Sequence, residues 1–178
     1  KMKPGSIGPD PFGRSNDTVR MNPPHESEDL VEPAGPKDPE VPFIMLQSLG
    51  GRPIALLANY SLHYVGAAGG DISADYFGMF AGQLEAALGQ EGTHPPFVAM
   101  MSNGTSGDIN NINFRAAPWT QQPYEQMTIV ANKAAGEAFK VYQGIRYSDW
   151  LPLAAAQQEL ELGVRKPSAE ELERAQAI

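Results

Sequence analysis

The chain has 178 residues, 42% of them hydrophobic and 19% charged, which suits one substantial core and is too apolar for disorder throughout. Its formal net charge of -8 argues against nucleic acid or an anionic bilayer as a general electrostatic partner, and the absence of cysteine excludes disulfides, thiolate metal sites and cysteine nucleophiles. No apolar run approaches the roughly 20 residues of a transmembrane segment, and the first residues lack the hydrophobic core of a signal peptide.

Residues 1–42 are dense in proline, from Pro4 through Pro23 and Pro24 to Pro42. Proline removes a backbone donor and fixes φ, so this stretch reads as extended loop. The signal then changes to Phe43-Ile44-Met45-Leu46, the turn pair Gly50-Gly51 and the apolar run Pro53 to Tyr60. That pattern predicts a β-hairpin whose second strand is interior to a sheet. After a glycine-rich loop, Phe77, Phe80, Leu84 and Leu88 recur at helical spacing up to Gly89, with Ser73 as the expected cap and Asp75 in the first turn.

Pro96 to Met101 reads as a third buried strand running into the Gly- and Asn-rich loop Ser102 to Asn113. Tyr124 to Tyr142 predicts a second long helix, and Leu153 to Leu162 alternates enough for a further strand. Ser168-Ala169-Glu170-Glu171 is a capping box opening a helix. The expected fold class is α/β, a mixed sheet with flanking helices in the order ββαβαβα. Its organisation is expected to be one domain, residues 1–42 loop and 43–178 core. An opening residue that is not Met and a last helix of only about three turns make an internal fragment of a larger catalytic domain the expected context.

Three histidines are present. His25 in Pro23-Pro24-His25-Glu26 and His94 in Thr93-His94-Pro95 lie in polar loops and read as solvated imidazoles. His63 closes the predicted strand in Asn59-Tyr60-Ser61-Leu62-His63, where side chains at a strand's carboxyl end reach a site. From the residues alone two readings stay open, a hydrogen-bonded core histidine or a metal ligand oriented through its second nitrogen. A catalytic zinc takes about three protein ligands, and with no HxH or HExxH pair in the sequence at least two would come from elsewhere.

The loop Ser102 to Asn113 also has two readings. Gly104 and Gly107 permit positive φ, so their N–H groups can line an oxyanion pocket beside Asp108; equally, the loop is a turn held by its own Asn and Asp side chains. Gly104-Thr105-Ser106-Gly107 is not the GxSxG elbow of serine hydrolases. Asn16-Asp17-Thr18, Asn59-Tyr60-Ser61 and Asn103-Gly104-Thr105 match the weak glycosylation pattern.

Taken together, Gly51-Arg52-Pro53-Ile54 leading to Asn59-Tyr60-Ser61-Leu62-His63, then Ser73-Ala74-Asp75-Tyr76-Phe77-Gly78, then Phe97-Val98-Ala99 with Ser106-Gly107-Asp108-Ile109-Asn110-Asn111, resemble the neutral/alkaline non-lysosomal ceramidase family, in its divergent bacterial branch. The resemblance covers about Phe43 to Asn113. It implies a zinc-dependent amide hydrolase acting on a small-molecule lipid amide, releasing a fatty acid and a sphingoid base from a secreted or periplasmic location. It also implies His63 as a zinc ligand and Gly107, Asp108 and Asn110 as the catalytic loop. Asn110 stands where the family carries its catalytic serine, a departure that leaves open a direct-water mechanism, another amide or ester substrate, or a binding scaffold without catalysis.

Overall fold

Regular structure begins directly after Pro42, where the dense run of prolines ends. The computed structural model describes residues 1–66, 69–89 and 91–178, which divide into two compact units, residues 1–147 and 148–178. In the first unit, Phe43–Gln47 (β1) and Pro53–Tyr60 (β2) form an antiparallel hairpin with Phe43 opposite Ala58 and Leu46 opposite Ala55. The turn needs Gly51, whose φ of 86° is strained for any residue with a Cβ. It is closed by the Gly51 N–H on the Ser48 carbonyl and by the Ser48 N–H on the Arg52 carbonyl.

Val98–Asn103 (β3) joins β2 in parallel, in register from Ala55 opposite Val98 to Tyr60 opposite Asn103. A parallel pair requires a crossover, and Asp75–Leu88 (α1) supplies it. Glu125–Tyr142 (α2) completes the unit. The sheet is therefore mixed, in the order β1-β2-β3, with helices packed against it. This is the α/β class expected from the pattern.

The alternation of side chains along a strand decides what is buried. Leu56, Ala58 and Ala99 point to the helical side and are sealed by Phe80, Leu84 and Leu88 of α1 and Ala134, Ala135 and Ala138 of α2. Three alanines on α2 offer the other elements a flat surface, while Phe80 and Leu84 fill the volume; each large side chain so buried contributes about 1.5–3 kcal/mol. A second cluster, Leu62, Tyr76, Met127, Val130 and Ala131, lies under the segment that follows β2. The opposite sheet face carries Ile44, Leu46, Leu57, Val98 and Met100, all exposed.

Residues 1–42 hold no helix or strand element, as expected, yet they are anchored. Met2 is buried and bridges Leu30, the Glu26 N–H bonds the Phe114 carbonyl, and the Arg115 guanidinium bonds the Val31 carbonyl.

The second unit departs from expectation. Leu153 to Leu162 forms no strand, so the described order is ββαβαα rather than ββαβαβα. Alternation predisposes a segment to a pleated surface, but a strand exists only where a neighbour takes up its backbone donors and acceptors. The expected cap is present: Ser168 Oγ accepts from the Glu171 N–H and the Glu171 carboxylate accepts from the Ser168 N–H, opening Ala169–Ala177 (α3). Among the described residues no helix is long and apolar enough to cross a membrane.

Candidate functional site

Because β2 and β3 are parallel, the segments following them, residues 61–66 and 104–113, leave the same end of the sheet. This is the edge at which open α/β sheets place ligands. The two segments are fastened to each other at their roots. The Gly104 N–H continues the ladder by donating to the Tyr60 carbonyl at 2.9 Å, and Asn59 Nδ2 donates to Ser102 Oγ at 2.8 Å. Gly104 is required by proximity: a Cβ there would lie 2.4 Å from Ser61 Oγ and 2.8 Å from Asn59 Oδ1. Neither Gly104 nor Gly107 has positive φ, so the positive-φ geometry expected at the two glycines is not what they provide.

His63 stands three residues beyond the last residue of β2, so it follows the strand rather than closing it. The strand ends at Tyr60, where its pairing with Asn103 ends. The His63 ring lies 4.2 Å from the Tyr64 ring, and Nδ1 is 3.0 Å from the Tyr64 carbonyl. A carbonyl only accepts, so Nδ1 carries the proton in this bond, and in the neutral ring the lone pair is then on Nε2. That fits one position of a tetrahedral zinc. Among the described residues no group of three His, Asp or Glu side chains that could hold a metal is found.

The segment bearing His63 is held from below. Asp75 has a positive φ of 52°, and its carboxylate accepts from the N–H groups of Val65 at 2.9 Å and Gly66 at 2.7 Å. Its neighbour Tyr76, with no exposed surface, donates its hydroxyl to the Leu62 carbonyl at 2.8 Å. Burial, with Tyr60 and Asp75 nearby, raises the pKa of that hydroxyl well above the ordinary tyrosine value. The cap itself differs from expectation: Ser73 Oγ accepts from the Asp75 N–H, and the N-terminal residue Ala74 has no side-chain cap. Asp75, read from sequence as a helix-dipole residue, is thus a brace between α1 and the His63 segment.

On the adjoining loop, Ile109 N–H bonds the Ser106 carbonyl in a turn that leaves Gly107 and Asp108 exposed. Asn110 Nδ2 donates to Asn22 Oδ1 at 3.0 Å, which fixes the loop to the N-terminal segment and orients the amide. No hydrogen bond joins His63 to Asp108 or Asn110 among the described residues; the sheet brings their segments to one edge without bringing the side chains together.

Two clefts flank this edge. One, of about 450 Å³, is lined by Tyr64, Asp71, Asp75 and Met127; Tyr124 donates its hydroxyl to Asp71, a bond that raises the Tyr124 pKa. The other, of about 420 Å³, is lined by Tyr60, Leu62, Asn110 and residues of α2. No protein-family model, no curated protein sequence and no solved structure matches the chain.

His94 is exposed, as expected. His25 is not the solvated imidazole its polar setting suggests: half-buried, it bonds the Ala116 carbonyl at 2.8 Å and sits 5.3 Å from the Phe114 ring. Its partner is 91 residues away in sequence, so no local pattern announced it.

Proposed function

We propose that the chain supplies His63 to the zinc centre of an amide hydrolase of the neutral ceramidase kind, acting on a lipid amide, with the remaining ligands donated from outside these residues. The observation that supports this best is the state of the imidazole. Its Nδ1 is engaged by the Tyr64 carbonyl, and Nε2 is left to bind at the sheet edge where the 104–113 loop also emerges.

Zinc, when bound, lowers the pKa of a coordinated water and polarises the amide carbonyl. The chain's own residues do the rest. The second N–H of Asn110, the first being held by Asn22, is the donor this reading assigns to the oxygen on which negative charge develops. Asp75 and Tyr76 hold the backbone on either side of His63 so that its ring keeps one orientation. Asn110 cannot form an acyl-enzyme, so the attacking group is water.

That same asparagine favours a second reading, a lipid- or carbohydrate-binding scaffold that keeps the fold without turnover. Elemental analysis of zinc in the intact protein and its His63→Ala variant, with hydrolysis of a fluorogenic ceramide, separates them. Zinc lost with His63 and amidase activity in the parent support the hydrolase. Zinc retained in the variant removes His63 as a ligand, and an intact protein with no stoichiometric zinc leaves the scaffold.

A further inference from the structure

A chemically labile dipeptide lies at the root of the candidate site. Asn103-Gly104 is the only Asn-Gly pair in the sequence. In such a pair the backbone nitrogen of the second residue can attack the side-chain amide of the first, because glycine has no Cβ to obstruct the approach. The glycine cannot be exchanged freely: a Cβ at position 104 would lie 2.4 Å from Ser61 Oγ. The close packing of the two loop roots therefore retains the dipeptide.

The fold restrains the reacting atoms. Asn103 is the last residue of β3, exposed and paired with Tyr60, and the Gly104 N–H donates to the Tyr60 carbonyl at 2.9 Å. Ring closure requires that nitrogen to lose its proton and turn towards Asn103 Cγ, whereas the bond to Tyr60 retains the proton and fixes the peptide plane. One residue earlier, the bond from Asn59 Nδ2 to Ser102 Oγ at 2.8 Å ties the same two strands together. Reaction thus requires a local opening, and openings at the ends of elements cost less than global unfolding.

We propose that Asn103 is a site of spontaneous deamidation gated by the Gly104–Tyr60 hydrogen bond. On opening, the Gly104 nitrogen bonds to Asn103 Cγ, the Cγ–Nδ2 bond breaks, and Nδ2 leaves as ammonia with the proton the backbone nitrogen gave up. Water then opens the succinimide at either carbonyl, giving aspartate or isoaspartate. Isoaspartate adds a methylene to the backbone, which displaces the Gly104 N–H from Tyr60 and parts the two segments that leave the sheet edge. The modification is independent of the hydrolase reading, and its readouts are peptide mass and amide exchange.

The test is peptide mapping, resolving aspartate from isoaspartate, of the 178-residue chain incubated at mildly alkaline pH, folded in buffer and unfolded in guanidinium chloride. Asn103 is expected to convert at least about tenfold more slowly in the folded chain, a difference of 1.4 kcal/mol, comparable to the net contribution of one hydrogen bond. Asn59→Ala is expected to raise the folded rate several-fold and leave the unfolded rate unchanged. Ser102→Ala removes the same side-chain bond from its other end and serves should Asn59→Ala fold poorly. Gln47→Ala, which removes a bond to the Gly51 carbonyl in the hairpin turn, keeps the folded rate of the parent. The isoaspartate fraction is expected to lose amide-exchange protection at Gly104. Equal rates in the folded and unfolded chains, no conversion of Asn103 when unfolded, equal acceleration in the Gln47 and Asn59 variants, or retained protection at Gly104 overturns the proposal.

Discussion

The carboxylate of Asp75 accepts the Gly66 N–H at 2.7 Å, so the first residue of α1 holds the far end of the segment that carries His63. Charge-assisted hydrogen bonds contribute about 1.5–3 kcal/mol, and this one acts with the bond to Val65. Asp75→Ala is expected to cost about 2 kcal/mol in urea denaturation, within that range, and to accelerate amide exchange at Val65 and Gly66 ahead of the strands. Uniform loss of protection across β2 would mean that the residue supports the fold rather than this segment.

The phenol of Tyr76 makes a prediction about pH. Its folded pKa is raised above the unfolded value of about 10, so above that pH the unfolded chain releases a proton that the folded one keeps. The stability contributed is whole below about pH 10 and is lost as pH rises toward the folded pKa. Tyr76→Phe leaves the Leu62 carbonyl without its partner, at about 1–3 kcal/mol, and should flatten this part of the alkaline decline. Guanidinium melts of both proteins from pH 8 upward are the measurement; a decline of equal steepness in the variant would assign it to other groups.

Two glycines of one loop should respond unequally to the same methyl group. Gly104→Ala places a Cβ against Ser61 and Asn59, where β2 and β3 meet, and should cost about 1–3 kcal/mol, the usual range for overpacking. Gly107→Ala meets nothing within 4 Å and has no positive φ to strain, so its effect should stay within about 0.5 kcal/mol. Thermal denaturation of the pair decides it, and equal losses would refute the close approach at Gly104.

What the sequence made legible was what depends on near neighbours. The Gly50-Gly51 turn, the 3.6-residue spacing of Phe77, Phe80, Leu84 and Leu88, and the Ser168 to Glu171 capping box each encode their own geometry, and each formed. Leu153 to Leu162 had the alternation of a strand and no neighbour to pair with. At the site, residue types were legible and contacts were not. His25 to Ala116, Asn22 to Asn110 and Tyr76 to Leu62 join residues brought together by topology, and Asp75 looked like one more acid at a helix start.

The sheet's other face yields the last prediction. Ile44, Leu57 and Met100 lie side by side across the three strands, with Leu46 and Val98 in the next row, and all five are exposed. Parallel pairs such as β2 and β3 are ordinarily covered on both faces, whereas the two large helices here pack on one. Bare apolar surface of this kind, flanked by the edges of β1 and β3, which pair with no further strand among the described residues, drives self-association. The 178-residue chain is therefore expected to bind a hydrophobic dye and to associate as its concentration rises. Leu57 is 46% and Met100 45% exposed, and when both are replaced with lysine the alkyl stem can keep part of the covered area while the ammonium reaches water. The double variant should lose dye binding and sediment as a monomer while keeping its helical circular dichroism. If it associates like the parent, the apolar side chains of the other unit, Trp150, Leu160 and Leu162 among them, are the source instead, and lysine at Leu160 and Leu162 would abolish the effect.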